Sequence, residues 1–197
     1  MDDEDRYRNK ELLLFIVDFE KAYDLVDLHY LDMVMANMNF PRLWRKWIFE
    51  CVGTTTTLVL VNGSPTKEFP IARGLHQGDP LSPFLFLLAA KGFNVLMNVV
   101  VDANRFTGYG VGRVGEVHLT HLQFTDDTLI IGEKSWLNVR TMRAVFLLFE
   151  EVSGLKVNFH KSMLMVVNVF DSWLSEAAMV MNCRKGNIPF VYLGFAY

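Results

Sequence analysis

Thr120-His121-Leu122-Gln123-Phe124-Thr125-Asp126-Asp127-Thr128-Leu129-Ile130-Ile131-Gly132 is the stretch that decides the fold. Apolar residues press on the neighbouring carboxylates Asp126 and Asp127 from both sides. Like charges side by side repel, and burying them costs on the order of several kcal/mol unless a cation compensates. A pair kept between two β-prone segments points to a divalent metal. A third acid, Asp18, ends the apolar run Leu12-Leu13-Leu14-Phe15-Ile16-Val17. Carboxylates at the ends of buried strands are what a two-metal phosphoryl-transfer site requires. Plainer readings compete: Asp favours hairpin turns in its own right, and Asp18 would serve as a helix N-cap. Asp24 and Asp27 read as capping or surface acids.

The chain has 197 residues, 51% of them apolar, enough for one domain with a substantial core. Its formal net charge is -3, without a basic tail. Taken alone, that weighs against a nucleic-acid partner, because phosphate binding normally leaves a basic footprint. The acids crowd the start, so residues 1–10 read as an acidic, disordered lead and 11–197 as the domain. Cys51 and Cys183 lack metal-ligand spacing and read as buried free thiols in a reducing compartment. The charged first ten residues exclude a signal peptide. The long apolar stretch from Phe84 to Val101 carries Lys91, Asn94 and Asn98, which marks a core helix rather than a membrane span.

Periodicity predicts a buried strand over Leu12–Val17 and a helix over Leu28–Met38. A second helix is expected over Pro41–Val52, with Trp44 and Trp47 in the core. Thr57–Val61 and Lys67–Ile71 read as a hairpin about Asn62-Gly63-Ser64-Pro65. The Gly- and Pro-rich run 73–83 is a loop leading into the apolar helix. Gly108–Gly115 reads as a loop or short strand pair. Val117–Gln123 and Thr128–Gly132 form a further hairpin with the Asp pair at its turn. A helix over Trp136–Val152 ends at Gly154. Short strands are expected at Val157–Phe159 and Val191–Leu193, with a helix over Asp171–Met181 between them. The order implies an α+β layer, an antiparallel sheet with helices on one face, in which Asp18 and the Asp126/Asp127 turn can share adjacent strands.

Nucleotidyl transfer suits such a site. One ion activates the attacking hydroxyl and a second steadies the leaving pyrophosphate, roughly 3.5–4 Å away. Mg²⁺ binds through a few carboxylates, waters and substrate phosphates. Asp18 and Asp126 would bridge, Asp127 would ligate or orient, and the Phe19 carbonyl would complete one octahedron.

Several blocks in order resemble the palm motifs of reverse transcriptases. They are Asp18-Phe19-Glu20-Lys21-Ala22-Tyr23-Asp24, Arg73-Gly74-Leu75-His76-Gln77-Gly78-Asp79-Pro80-Leu81-Ser82-Pro83 and Phe124-Thr125-Asp126-Asp127. Two later blocks, 154–162 and 189–194, also look like the family. The wording is most similar to plant LINE-type (non-LTR) retrotransposon enzymes, over about Leu12 to Tyr197. The resemblance implies a polymerase palm that copies an RNA template onto a DNA primer from dNTPs. It implies two Mg²⁺, with Mn²⁺ as a substitute, and no membrane; oligomeric state is left open.

Residue by residue, the resemblance makes Asp18, Asp126 and Asp127 the metal-binding acids, with Phe19 beside them. Tyr23 is similar to the steric gate against a ribose 2′-hydroxyl, with a half-buried aromatic as the plain alternative. Arg73, Gln77 and Gly78 border the incoming nucleotide and template. Lys161 resembles a proton donor to pyrophosphate, or is a solvated surface lysine. Tyr192, Leu193 and Gly194 resemble the primer grip, or pack in the core.

There are departures. Thr125 stands where the family usually has a small apolar residue, and His76 where plant members usually carry Arg. Relative to such enzymes the palm with partial fingers looks truncated at both ends, without thumb, endonuclease or RNase H. The alternative to an active polymerase is therefore a catalytically dead palm relic of a decayed element. By resemblance, the protein is made in the cytoplasm and works in the nucleus.

Overall fold

The apolar run Leu12–Val17 becomes the middle strand of the molecule, because both of its faces can be buried. The computed structural model describes residues 10–53, 56–57, 60–67, 69–70, 74–75, 78–112, 116–124, 126–189, 191–192 and 195–196. In chain order the elements are β1 (Leu12–Val17), α1 (Leu28–Asn37), α2 (Arg42–Gly53), β2 (Thr56–Thr57), β3 (Leu60–Val61), β4 (Ser64–Pro65), β5 (Phe69–Pro70), α3 (Ser82–Asp102), β6 (Tyr109–Val111), β7 (Val117–Leu119), β8 (His121–Phe124), β9 (Asp127–Glu133), α4 (Trp136–Ser153), β10 (Met163–Val167), α5 (Asp171–Met181), β11 (Arg184–Lys185), β12 (Val191–Tyr192) and β13 (Phe195–Ala196).

The main sheet runs β11-β10-β1-β9-β8. All its pairings are antiparallel except that of β10 with the short edge strand β11. Strand alternation divides β1 between two cores. Leu13, Phe15 and Val17 join the large core under the helices, whereas Leu14 packs with Leu129, Ile131 and Met165 on the opposite face. Aromatic rings tie the helices to the sheet: Phe146 lies 5.8 Å from Phe15 and stacks on Phe93 at 5.1 Å, centroid to centroid. This is the α+β arrangement the sequence predicts.

Caps set the helix ends. The Asp27 carboxylate accepts from the Tyr30 N–H at 2.9 Å, and the Ser135 hydroxyl accepts from the Asn138 N–H at 2.9 Å. Gly154, at φ 77°, closes α4 as expected. The helix α3 is long and apolar enough to cross a membrane by length and composition alone. Here one side of it, including Leu85, Phe86, Ala89, Phe93 and Met97, is buried in the protein core.

Several expectations need correction. Trp44 and Trp47 are exposed; α2 buries Ile48 and Val52 instead. Cys51 is exposed, while Cys183 is partly buried and neither is in a disulfide. The strand expected as Val117–Gln123 is divided at Thr120, with β7 pairing to β6 and β8 to β9. Ser64 and Pro65 pair with Leu60 and Val61, so the hairpin turn tightens to Asn62-Gly63, both at positive φ. Residues 157–159 supply only a single bridge, and the strand forms later, at Met163–Val167. Residues 1–9 of the expected acidic start lie outside the described residues.

Candidate active site

Strand register brings the acids together. Where β8 pairs with β9, Leu122 stands opposite Leu129, and the last pair is Phe124 with Asp127. Asp126 therefore sits in the turn and Asp127 opens β9. On the other side of β9, Ile16 pairs with Leu129 and Val17 with Thr128. One further step sets Asp18 opposite Asp127, where antiparallel neighbours stand about 5 Å apart at Cα. By alternation these two share a face with Ile16 and Leu129, away from the helices.

Asp18 is not a helix cap; Asp27 has that task for α1. Backbone and side-chain bonds instead hold Asp18 to the segment before β10. Its N–H donates to the Ser162 hydroxyl at 3.0 Å, and its carbonyl accepts from the Asn158 N–H at 2.7 Å. The Ser162 hydroxyl in turn donates to the Asn158 carbonyl at 2.9 Å. Phe19 bridges Val157 as an antiparallel pair flanked by the bonds Asn158 N–H to Asp18 and Glu20 N–H to Lys156. In such a non-hydrogen-bonded pair the Phe19 carbonyl is turned away from Val157, toward the side where β9 lies.

The acids act on one another electrostatically. Desolvation, then the charge of Asp126, then that of Asp18, push the Asp127 carboxyl above its ordinary value. Burial, followed by Asp126, also raises the Tyr23 phenol. Among the described residues, no three Asp, Glu, His or Cys side chains already converge on a metal position. Mg²⁺ needs only a few carboxylates beside water and phosphate oxygens. The donor set is hard oxygen throughout, which fits Mg²⁺ or Mn²⁺.

Tyr23 packs against Phe86 with 5.0 Å between ring centroids. Its carbonyl accepts from the Leu75 N–H at 2.7 Å, and the Gly74 N–H donates to the Val26 carbonyl at 3.0 Å. A Cβ on Gly74 would lie 2.4 Å from the Asp24 carbonyl oxygen, and φ there is 92°. Only glycine fits, so the loop is fastened to the turn that carries Tyr23. Gly78, at φ 99°, has no heavy atom within 4 Å of where a Cβ would stand. Arg73, Gln77, Leu193 and Gly194 lie outside the described residues, as do His76 and Thr125. Tyr192 stands opposite Phe195 in the antiparallel pair of β12 and β13. Lys161 is exposed in the turn before β10, its N–H bonded to Asn158.

Sequence reasoning passed over Ser162, Asn158 and Gly74 as positioning residues. A serine set directly before an apolar strand was the available signal for the first; it is buried, which a surface serine would not be.

The family model for reverse transcriptase (RNA-dependent DNA polymerase) matches residues 3–197. The chain belongs to the reverse transcriptase family. The Pol polyprotein of the type-1 retrotransposable element R2 from Popillia japonica is 30% identical over 80% of the chain. An uncharacterized mitochondrial protein of Arabidopsis thaliana is 38% identical over 36% of the chain, and over 57% of its own length. The chain spans only 21% of that R2 polyprotein. Among solved structures, the apo telomerase from Candida tropicalis, truncated from its C-terminal domain, superposes with a TM-score of 0.62. It shares 13% identity, over 85% of this chain and 33% of its own. This reverse transcriptase domain thus has a palm-like polymerase fold and non-LTR retrotransposon homologues.

Proposed function

We propose that the chain carries the polymerising palm of a plant LINE-type retrotransposon and extends a DNA primer with dNTPs along an RNA template. The observation that carries this reading is the register that sets Asp18 opposite Asp127, beside the turn holding Asp126. The motif wording and the Arabidopsis relative favour a plant source. Family membership favours RNA as the template.

Asp18, Asp126 and Asp127 would hold two Mg²⁺, with the Phe19 carbonyl as a further ligand and Mn²⁺ as a substitute. Bound there, the ions would ease deprotonation of the primer 3′-hydroxyl and steady the departing pyrophosphate. The Tyr23 ring would bar a ribose 2′-hydroxyl. Gly78, without a side chain, would let a base or sugar approach the backbone. Arg73 and Gln77 would border the nucleotide and template. Lys161 would give a proton to pyrophosphate, and Tyr192, Leu193 and Gly194 would grip the primer. Synthesis in the cytoplasm and action in the nucleus follow from copying at chromosomal sites.

Primer extension on poly(rA)/oligo(dT) with Mg²⁺ tests the reading. Extension that Asp126→Asn abolishes supports it. A folded chain that extends nothing is instead the palm relic of a decayed element.

A further inference from the structure

The edge of the sheet farthest from the Asp126 turn carries an arginine to which no role in the site is assigned. Strand β11 is only Arg184-Lys185, and alternation sends these two side chains to opposite faces. Lys185 settles which is which. Its ammonium bonds the Asp171 carboxylate at 3.0 and 3.1 Å and the Ser175 hydroxyl at 3.0 Å, both on α5, so it faces the helices. Arg184 faces the other way. Its register partner Met163 confirms the side, since Met163 packs with Leu14, Leu129 and Ile131 on the face away from the helices.

That face is also the one shared by Asp18 and Asp127. Arg184 pairs with Met163 and Met163 with Ile16. Arg184 is thus two strand spacings from Ile16, roughly 10 Å, and Asp18 lies one residue pair farther along, roughly 7 Å. Arg184 is exposed and, among the described residues, has no carboxylate partner, whereas its neighbour Lys185 is spent on Asp171. His160 and Lys161 are exposed in the turn at the same end of the sheet. The chain is acidic overall, and Asp18 and Asp127 stand on this face, where their charge repels a polynucleotide. A strand drawn across the face needs a cation beyond the acids, and Arg184 is the exposed, uncommitted one on that side of the edge strand.

We propose that Arg184 is a backbone-phosphate contact for the nucleic-acid strand that crosses this face, with His160 flanking it. The proposal rests on the polymerase reading above and adds a positioning residue to it. A triphosphate held at Asp18 and Asp126 would have to span two strands to reach Arg184, so a polynucleotide phosphate is the better ligand.

Binding of a fluorescent RNA–DNA primer–template hybrid to the full chain, followed by anisotropy in EDTA, tests this without chemistry. Affinity is measured between about 50 and 200 mM salt. Losing one phosphate contact flattens the slope of log affinity against log salt by roughly 0.7–0.9. Arg184→Gln is expected to do so and to raise the KM for the hybrid with kcat unchanged; Arg184→Lys is expected to restore the slope. Arg140→Gln, an exposed change on α4, is expected to leave it as it is. An unchanged slope in Arg184→Gln overturns the proposal. So does a change confined to the KM for dNTP, which would assign Arg184 to the nucleotide. Intact hybrid binding without any extension counts against polymerase activity alone, and the slope still decides the role of Arg184.

Discussion

The Ser162 hydroxyl accepts the backbone N–H of Asp18 at 3.0 Å and donates to the carbonyl of Asn158 at 2.9 Å. One buried side chain thereby fixes where the first acid leaves its strand. Ser162→Ala leaves both backbone groups without this partner, a loss of about 1–3 kcal/mol where such groups are screened from water. The expected result is a lowered melting temperature together with weaker extension. Ser162→Thr, which keeps the hydroxyl, is expected to recover activity ahead of stability. An alanine variant with native activity would deny Ser162 any part in placing Asp18.

Asp127 carries charge against its surroundings. Burial, Asp126 and Asp18 all raise its pKa, so the folded chain holds that proton more tightly than the unfolded one. Its contribution to stability is complete below the ordinary carboxylate range and is lost as pH rises through the folded value. Asp127→Asn is therefore expected to melt higher than the native chain at neutral pH without metal, and the gap is expected to close as the solution is acidified. Mg²⁺ is expected to raise the melting temperature of the native chain more than that of the variant, and Asp127→Asn to weaken or abolish extension. Calorimetry across pH, with and without Mg²⁺, reads all of this. A variant less stable than the native chain at neutral pH would contradict it.

His121 responds to pH in the opposite sense. Burial, then Lys91, holds its imidazole below the ordinary value. Its Nε2 lies 3.3 Å from the Asn94 amide nitrogen, which can only donate, so Nε2 accepts and the proton rests on Nδ1, 2.9 Å from the Thr120 hydroxyl. A second proton would face a donor. Stability from this group is present above a pH of about 6.5 and is lost as pH falls through the folded value. The melting-temperature difference between the native chain and His121→Gln should shrink over that interval, and a constant difference would exclude His121 as its source.

Gly92 tests the helix layer. A Cβ there would stand 1.8 Å from the Tyr30 hydroxyl, which donates to the Ala89 carbonyl at 2.8 Å. The ring has little room to yield, because Tyr30 is buried and meets Phe149 edge-on at 6.3 Å. Alanine would gain up to about 1 kcal/mol of helix propensity. It would lose the hydrogen bond and strain the packing, about 1–3 kcal/mol for each. Gly92→Ala is expected to melt lower; a higher melting temperature would show that the ring moves aside freely.

How much of this was legible in the sequence depends on what each residue's partner was. Leu12–Val17, the helix at Asp171–Met181 and the Gly154 cap could be read because local pattern and tertiary burial agree there. Strand β10 could not. Val157 and Phe159 look β-prone, but Asn158 and Ser162 fold the segment into a turn against Asp18, a residue 144 positions from Ser162. The pairing of Arg184 with Met163 was equally hidden, since nothing in a two-residue strand announces its register. Trp44 and Trp47 misled for the converse reason: helical spacing shows that two residues share a face, and only the packing shows which face is buried.

Tyr23 offers the sharpest test of sugar selection. Its ring is propped by Phe86 at 5.0 Å and its carbonyl is held by the Leu75 N–H at 2.7 Å, so the side chain is fixed from both ends. Burial and the nearby charge of Asp126 keep the phenol neutral. If the ring itself bars the 2′-hydroxyl, Tyr23→Ala opens the space and Tyr23→Phe does not. Discrimination between rNTP and dNTP, taken as the ratio of their kcat/KM values, is expected to fall roughly 10–200-fold in the alanine variant, the range that a single steric contact in a pocket commands. The phenylalanine variant is expected to stay near native. Loss of discrimination in both would move the effect from the ring to the hydroxyl, and loss in neither would remove Tyr23 from the sugar site.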